Sequence, residues 1–217
     1  VRILADEIPN LLSETDAVMH ATTLAINAII ERKGAPTALI TTAGFRDVLE
    51  IGREKRYDMH DIFQSFPEPL VPRRWRFEAD ERLYADGAVC TPIDLASVEA
   101  LVPKLREEGI TSVAICFLHA YANPDHERQA AEVLAEHLPD MALTLSSDLL
   151  AQVGEFERTC TTAANAYVNP IMRSYLKKVD NSLRDQGFDG RLFLTLSNGG
   201  LTSHHTARDY PIRVVES

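Results

Sequence analysis

The sequence predicts an α/β fold, and two observations carry that prediction. Apolar segments rich in β-branched residues alternate with amphipathic helical segments from about residue 17 onward. The run Ile110–Leu118 (ITSVAICFL) is continuously apolar, which is typical of a strand buried on both faces. A helical segment and a further strand, Met141–Leu145, follow it at the spacing of a right-handed parallel crossover. The 217 residues are enough for one large or two small cores.

The first part of the chain shows the same alternation. Ala17–Met19 is predicted to be a short strand, and Leu24–Arg32 a helix that ends at Gly34, the usual residue after a C-cap. Pro36–Thr42 (PTALITT) predicts another strand, and Phe45–Ile51 a short helix. Two strand-and-helix pairs therefore precede the first change of pattern.

An irregular segment, residues 53–92, interrupts this alternation. It is rich in proline, arginine and aromatic residues, and Trp75, Phe77 and Tyr84 alternate with charged side chains. Because the turn signal Asp86-Gly87 follows, the segment predicts a hairpin or a pair of antiparallel strands. An insertion between α/β units often shapes a pocket or an interface.

Regular elements return after the insertion. Helices are predicted between Asp94 and Gly109 and between Asn123 and Leu138, each with a polar N-cap side chain. The segment Glu155–Arg184 repeats apolar residues in steps of three or four, which predicts a long helix that Pro170 kinks or divides. The strand Arg191–Leu196 follows.

Charge and cysteine usage exclude several classes of function. A net charge of −10 repels nucleic acid and anionic membranes, so neither is an expected partner. Because no apolar run is long enough to span a bilayer and no signal-peptide pattern is present, we expect a cytoplasmic protein. Cys90, Cys116 and Cys160 are widely spaced, which predicts neither a disulfide framework nor a thiolate zinc site. Cys116 and Cys160 lie on apolar stripes and are expected to be unreactive core thiols.

The stretch HATT, His20–Thr23, stands directly before the first predicted helix and has two interpretations. In the one that composition favours, a hydroxyl of Thr22 or Thr23 caps the helix and His20 is a hydrogen-bonded core histidine. In the other, these side chains face a cleft and hold a ligand.

The stretch SNGG has the same ambiguity. Paired glycines, Gly199 and Gly200, allow backbone N–H groups to form an anion-binding nest, and Asn198 adds a carboxamide. A plain turn after a strand is the interpretation favoured by the four residues alone. Two histidine-containing stretches are weaker: YDMHD (57–61) is expected to be a polar loop rather than a metal site, and His204-His205 a solvated turn.

Several blocks, in chain order, resemble the hydantoinase A/5-oxoprolinase family. HATTLAINAIIERKG is followed by APTALITTAGFRDVLEIGREKRYD, PLVPRR and ERLYADGAV, and later by EFERTCTTAANAYVNPIMRSYL, SNGGL and PIRVV. The resemblance extends from about Val18 to Val215. One departure is Ala21, where family members commonly have glycine; its methyl group narrows the approach of a ligand to the backbone.

The resemblance implies an actin/Hsp70-like (ribonuclease H-like) ATPase fold that is incomplete and carries an insertion around residues 53–92. Residues 1–146 would form the hydantoinase/oxoprolinase N-terminal-type domain without its first phosphate loop. Residues 147–217 would begin the hydantoinase A core domain. We therefore expect the chain to be an internal piece of a longer protein and expect this piece alone to be inactive.

For that longer protein, the resemblance implies an ATP-dependent cyclic amidohydrolase that opens hydantoin or 5-oxoproline-type rings. An alternative is a subunit of an ATP-dependent ketone carboxylase, and a third is a non-catalytic scaffold or interaction module. ATP and Mg²⁺ are the implied cofactors, with no tight binding expected to this piece. The implied partners are a small cyclic amide and a hydantoinase B-type subunit or domain within an oligomer. No catalytic residue and no metal ligand is assigned. The candidate nucleotide- or substrate-binding residues are His20, Thr22, Thr23, Asn198, Gly199 and Gly200.

Overall fold

A computed structural model describes residues 10–53, 60–61, 63, 66–196 and 198–215. The chain divides into two compact units, one of them Gly34–Tyr167 and the other the residues up to Lys33 together with those from Val168 onward. The domain boundary expected after residue 146 concerns family relationships rather than this division, and it stays a prediction.

The strands are numbered in chain order. They are β1 (Ala17–His20), β2 (Thr37–Thr42), β3 (Arg76–Ala79), β4 (Arg82–Leu83), β5 (Val89–Thr91), β6 (Ser112–Cys116), β7 (Ala142–Leu145), β8 (Arg191–Thr195) and β9 (Leu201–Ser203). The α-helices are α1 (Leu24–Ile30), α2 (Val48–Ile51), α3 (Leu95–Glu99), α4 (Val102–Glu107), α5 (Asp125–His137), α6 (Ser146–Leu149), α7 (Glu155–Asp185) and α8 (His204–Asp209). The predicted α/β alternation is confirmed.

A four-stranded parallel sheet, in the order β3-β2-β6-β7, organises the unit Gly34–Tyr167. Every residue of β6 is buried, as the continuous apolar run predicts. Helix α5 connects β6 to the parallel strand β7, so the predicted parallel strand–helix–strand connection is confirmed, while its right-handedness stays a prediction.

Both faces of this sheet are covered, and alternate residues of each strand serve the two faces. Ile40 and Ile115 pack with side chains of α3, α4 and α5, including Val98, Leu105 and Leu134. On the opposite face, the core residues of the strands and of the first half of α7 are Leu39, Ala114, Cys116, Ala163 and Ala166. The core of this unit is therefore built from its own sheet and helices.

The structure corrects the interpretation of residues 53–92. Among the described residues of this segment, β4 and β5 form the expected antiparallel pair, around a turn in which Gly87 has a φ of 85°. Strand β3 instead pairs in parallel with β2 as an edge strand of the main sheet. Buried Phe77 is followed by exposed Glu78, and this change from apolar to charged is the pattern that a hairpin strand would also show.

The first helix ends earlier than predicted and without glycine. Arg32 has the left-handed φ of 55°, and the Lys33 N–H donates to the Ala28 carbonyl at 2.9 Å, as in a Schellman motif. Gly34 meets a different requirement, because a Cβ atom there would lie 2.1 Å from a ring carbon of Tyr167. Gly34 therefore allows the backbone to approach an aromatic ring closely, and it is not the residue that ends the helix.

Proline has different effects on two other predicted helices. The segment after Asp94 divides into α3 and α4, with Pro103 near the start of α4. The Asp94 carboxylate accepts from the Ala96 N–H at 3.0 Å, so this predicted N-cap is confirmed. Pro170, by contrast, does not divide α7, which is one helix of 31 residues.

The unit that contains Val168 has its own three-stranded sheet, in the order β1-β8-β9. Strand β1 runs parallel to β8, and β9 returns antiparallel to it. Leu12, Leu183, Phe188 and Leu192 form the buried cluster beneath it. Over the described part of the chain, no helix has both the length and the apolar character needed to cross a bilayer.

Candidate functional site

The two predicted ligand loops lie at the same edge of the β1-β8-β9 sheet. Val18 pairs with Leu192 and His20 with Leu194, so the parallel strands β1 and β8 end side by side. HATT continues directly from the end of β1, and Asn198 to Gly200 follow the end of β8. In α/β sheets, ligands bind beyond the carboxyl ends of parallel strands, and this edge is therefore the candidate site.

His20 has a specific partner on α7. Its Nε2 lies 2.7 Å from the hydroxyl of Tyr175, and the two ring centroids are 5.8 Å apart. Partial burial lowers the pKa of His20, which favours the neutral imidazole at neutral pH. A neutral imidazole exchanges one hydrogen bond with a hydroxyl, in a direction set by its tautomer. In the sequence, Tyr175 is one of the apolar residues repeated in steps of three or four along Glu155–Arg184, and its hydroxyl was the missed signal.

The two threonines stabilise the start of α1 in different ways. The Leu24 N–H donates to Thr22 Oγ1 at 3.2 Å. Thr23 occupies the N-cap without a side-chain cap bond, and its Oγ1 accepts from the Asn27 side chain at 3.3 Å. The capping interpretation of HATT therefore holds for Thr22, while Thr23 presents an exposed hydroxyl at the sheet edge.

The loop after β8 has the geometry of a turn. The Gly200 N–H donates to Asn198 Oδ1 at 3.0 Å, and the Gly199 N–H donates to the Leu196 carbonyl at 2.9 Å. Gly199 has a φ of 81°, which explains the glycine there. Both N–H groups are thus used within the loop, as the plain-turn interpretation predicts.

The implied cofactors, ATP and Mg²⁺, need free backbone donors and metal ligands at this edge. The loop donates its glycine N–H groups internally, and α1 has only seven residues. Among the residues that the structure describes, no group of three His, Cys, Asp or Glu side chains is placed to hold a metal ion. The described residues alone therefore do not fit Mg²⁺-ATP.

A cleft of about 440 Å³ adjoins the His20–Tyr175 pair. Tyr175 and Leu24 line it, and the remaining lining residues are Pro170, Ile171, Ser174 and Lys178. This open, mostly apolar groove has two hydroxyl groups and one ammonium group, which can contact a small polar ring. Here Tyr175 links the cleft to HATT through its bond to His20.

A separate polar cluster pins the loops at the carboxyl edge of the four-stranded sheet. Buried Glu81 accepts from the Thr42 hydroxyl and bonds His126 Nδ1 at 2.7 Å. Buried Glu127 accepts the Phe117 N–H at 2.9 Å and donors from Ser146 and Ser147. Burial raises the pKa of Glu127, and these hydrogen bonds oppose the rise. Because the partners named here are all residues of this unit, the carboxylates of Glu81 and Glu127 connect its loops to one another.

The other histidine stretches and the thiols have been located. Residues 57–59 of YDMHD lie outside the described residues, while His60 and Asp61 are exposed. His204-His205 is not a turn: it opens α8, because Ser203 accepts the Thr206 N–H as an N-cap. Burial raises the pKa of Cys116, and it raises that of Cys160 to about 11, as expected for unreactive thiols.

Comparison with known proteins identifies the family. The sequence profile of the hydantoinase/oxoprolinase N-terminal region matches residues 2–138, and the hydantoinase/oxoprolinase profile matches residues 158–217. The chain belongs to the hydantoinase/oxoprolinase family. It is 32% identical over 209 residues to the caprolactamase subunit alpha of Pseudomonas jessenii, covering 95% of this chain and 30% of that protein. It is 31% identical over 203 residues to 5-oxoprolinase 1 of Arabidopsis thaliana, covering 85% of this chain and 16% of the relative.

Two solved structures share the fold of this chain. The ATP-dependent caprolactamase from Pseudomonas jessenii superposes with a TM-score of 0.90 at 30% identity, covering 99% of this chain and 32% of that one. Nucleotide-free acetone carboxylase superposes with a TM-score of 0.86 at 23% identity, covering 95% of this chain and 30% of that one, which shows the fold alone. The expected actin-like α/β class is thereby supported. This family chain spans less than a third of the length of these relatives.

Proposed function

We propose that the intact protein is an ATP-dependent cyclic amidohydrolase and that this chain contributes the carboxyl edge of the β1-β8-β9 sheet to its active cleft. The observation that carries the proposal is the cleft lined by Tyr175, whose hydroxyl is bonded to His20 of HATT. The relatives named caprolactamase and 5-oxoprolinase support the reaction class. ATP and Mg²⁺ are the cofactors proposed for the intact protein.

The residues of the sheet edge would hold the ring rather than the nucleotide. Leu24 and Ile171 provide apolar contact for the methylene groups of a lactam. Ser174 and Tyr175 carry the hydroxyl groups that hydrogen-bond the amide. The bond from His20 fixes the phenol in one orientation, and fixed orientation lowers the entropic cost of reaching the reactive geometry.

The test is coupled turnover in the intact protein. Release of phosphate from Mg²⁺-ATP and ring opening are measured together with hydantoin, 5-oxoproline and caprolactam. We expect Thr23→Ala to lower kcat/KM about tenfold, a loss near 1.4 kcal/mol, with little change in Tm. His20→Ala should lower kcat/KM to a similar extent and also cost about 0.5–1.5 kcal/mol of stability, because it removes the bond to Tyr175. If these variants lose activity only in proportion to the loss of folded protein, the role of HATT is helix capping alone.

A second candidate function is a subunit of an ATP-dependent ketone carboxylase. The acetophenone carboxylase gamma subunit of Aromatoleum aromaticum is 27% identical over 206 residues and covers 89% of this chain. Bicarbonate-dependent consumption of a ketone, without opening of any cyclic amide, would favour this function. A protein that turns over neither substrate class would instead be a non-catalytic scaffold.

We also propose that the intact protein works with a second subunit. Two relatives are named as subunits, caprolactamase alpha and acetophenone carboxylase gamma. The partner expected from the family is a hydantoinase B-type subunit or domain. Co-purification that restores ATP-coupled ring opening would support this assignment, and full activity of the isolated protein would contradict it.

A further inference from the structure

A second cleft, of about 480 Å³, lies between α7 and α8. Its floor is a stripe on one face of α7 at helical spacing: Arg173, Leu176, Lys177 and Asp180. This stripe is distinct from the neighbouring one, Ile171, Ser174, Tyr175 and Lys178, which lines the candidate site. The wall contributed by α8 consists of His204, His205 and Arg208.

One end of this cleft has excess positive charge. Asp209 bonds Arg208 at 3.0 and 3.3 Å and lies 3.7 Å from Arg173, so two guanidinium groups share one carboxylate. Lys177 adds an ammonium group to the same floor. The side chains of Arg173 and Arg208 are 52% and 42% exposed, and a ligand can therefore reach them. A guanidinium group matches a carboxylate ligand in shape and charge.

The other end of the cleft carries an acid that is short of donors. Asp180 Oδ1 is buried without a hydrogen-bond partner, and the Arg184 Nε lies 3.5 Å away as an ion pair only. The Asp180 side chain is 26% exposed. Asp180 is seven positions after Arg173, which places them about 10 Å apart along the helix axis. Leu176 lies between them as an apolar floor.

We propose that this cleft binds a zwitterionic amino acid whose carboxylate and ammonium groups are joined by a short aliphatic chain. Its carboxylate meets Arg173, Lys177 and Arg208, its methylene groups cover Leu176, and its ammonium group donates to Asp180. The identity of the ligand rests on the proposed function, since hydrolysis of a lactam produces a carboxylate and an amine on one chain. The cleft is then a product-binding site on the stripe of α7 next to the candidate active site.

The test is calorimetric titration of the intact protein, without nucleotide, with 6-aminohexanoate, hexanoate and hexylamine. We expect 6-aminohexanoate to bind at least tenfold more tightly than either single-charge probe. Asp180→Asn should abolish its preference over hexanoate, because the amine loses its partner. Lys177→Met should weaken both carboxylates, and Lys177→Gln repeats that test if the first variant folds poorly.

Lys178→Met is the matched variant on the other stripe, and it separates this cleft from the active site. Loss of binding in Lys178→Met but not in Lys177→Met would place the ligand in the candidate active site and overturn the proposal. Equal affinity for hexanoate and 6-aminohexanoate would show that the cleft recognises only the carboxylate and would overturn the proposal. Absence of any binding would overturn it as well. Because these titrations need no turnover, they succeed or fail independently of the ring-opening assay.

Discussion

At the scale of single residues, the pair His20–Tyr175 explains why a histidine stands at the end of β1. The 2.7 Å contact fixes both rings, and one of them lines the candidate cleft. Tyr175→Phe keeps the ring and removes the hydroxyl, so we expect a loss of about 0.5–1.5 kcal/mol in the free energy of unfolding. If the pair also orients substrate, kcat/KM of the intact enzyme falls further than that of Tyr84→Phe, an exposed tyrosine used as control. Equal stability of Tyr175→Phe and wild type in urea unfolding would contradict the contact.

The same histidine makes a prediction about pH. Burial lowers the pKa of His20 in the folded state relative to about 6.5 in the unfolded chain. A depressed pKa contributes stability that is present above the unfolded pKa and is lost as pH falls through the folded pKa. The free energy of unfolding should therefore fall on acidification below about pH 6.5. In the His20→Gln variant it should fall less. Urea unfolding of both proteins at neutral and acidic pH measures the difference.

The sequence showed two polar loops that follow apolar strands, and it missed the partners of their residues. HATT and Asn198–Gly200 lie at one edge of the same sheet, and their role as a ligand site stays a prediction. The partner Tyr175 is 155 positions from His20, a separation that periodicity does not address. The use of the Gly200 N–H by Asn198 depends on the turn conformation, which two adjacent glycines leave open.

At the scale of elements, the continuity of α7 through Pro170 has a specific cause. Proline donates no N–H to the carbonyl four residues earlier, that of Ala166. The hydroxyl of Ser112, on β6, donates to this carbonyl at 2.7 Å and replaces the missing bond. Pro170 predicted a kink or a second helix, and α7 is not divided there. A local sequence pattern contains no information about a serine on a neighbouring strand.

This arrangement predicts coupling between Ser112 and Pro170. Ser112→Ala leaves a buried carbonyl unsatisfied and should cost about 1–3 kcal/mol. In a Pro170→Ala background the helix supplies its own donor, so the same substitution should cost at least about 1 kcal/mol less. Urea unfolding of the four proteins completes the double-mutant cycle. Thr37→Ala, which removes a buried hydroxyl bonded to the Ala35 carbonyl, is the control and should be additive with Pro170→Ala. If the effects of Ser112→Ala and Pro170→Ala are additive, the Ser112 hydroxyl does not replace the hydrogen bond that Pro170 lacks.

At the scale of the whole molecule, alternation predicted the parallel sheet but not the division of the chain. The apolar run around Ile115 required burial on both faces, and β6 has it. The pairing of β1 with β8 joins segments about 170 residues apart, and no local pattern encodes such a contact. The edge strand β3 was misread because its alternation is the same in a hairpin and at the edge of a parallel sheet.

This division predicts which fragments fold. Residues 34–167 contain a complete sheet with helices on both faces, so this fragment should unfold cooperatively in urea with an m value of about 1–3 kcal/mol/M. Residues 34–154 are the matched control: without the first half of α7, the face that carries Leu39 and Ala114 is uncovered. This shorter fragment should lose cooperativity and bind a hydrophobic dye. Residues 168–217 should remain unfolded alone, because β8 lacks its parallel partner β1. Cooperative unfolding of residues 34–154 would show that α7 is dispensable to this core and would refute the assignment of its first half to that unit.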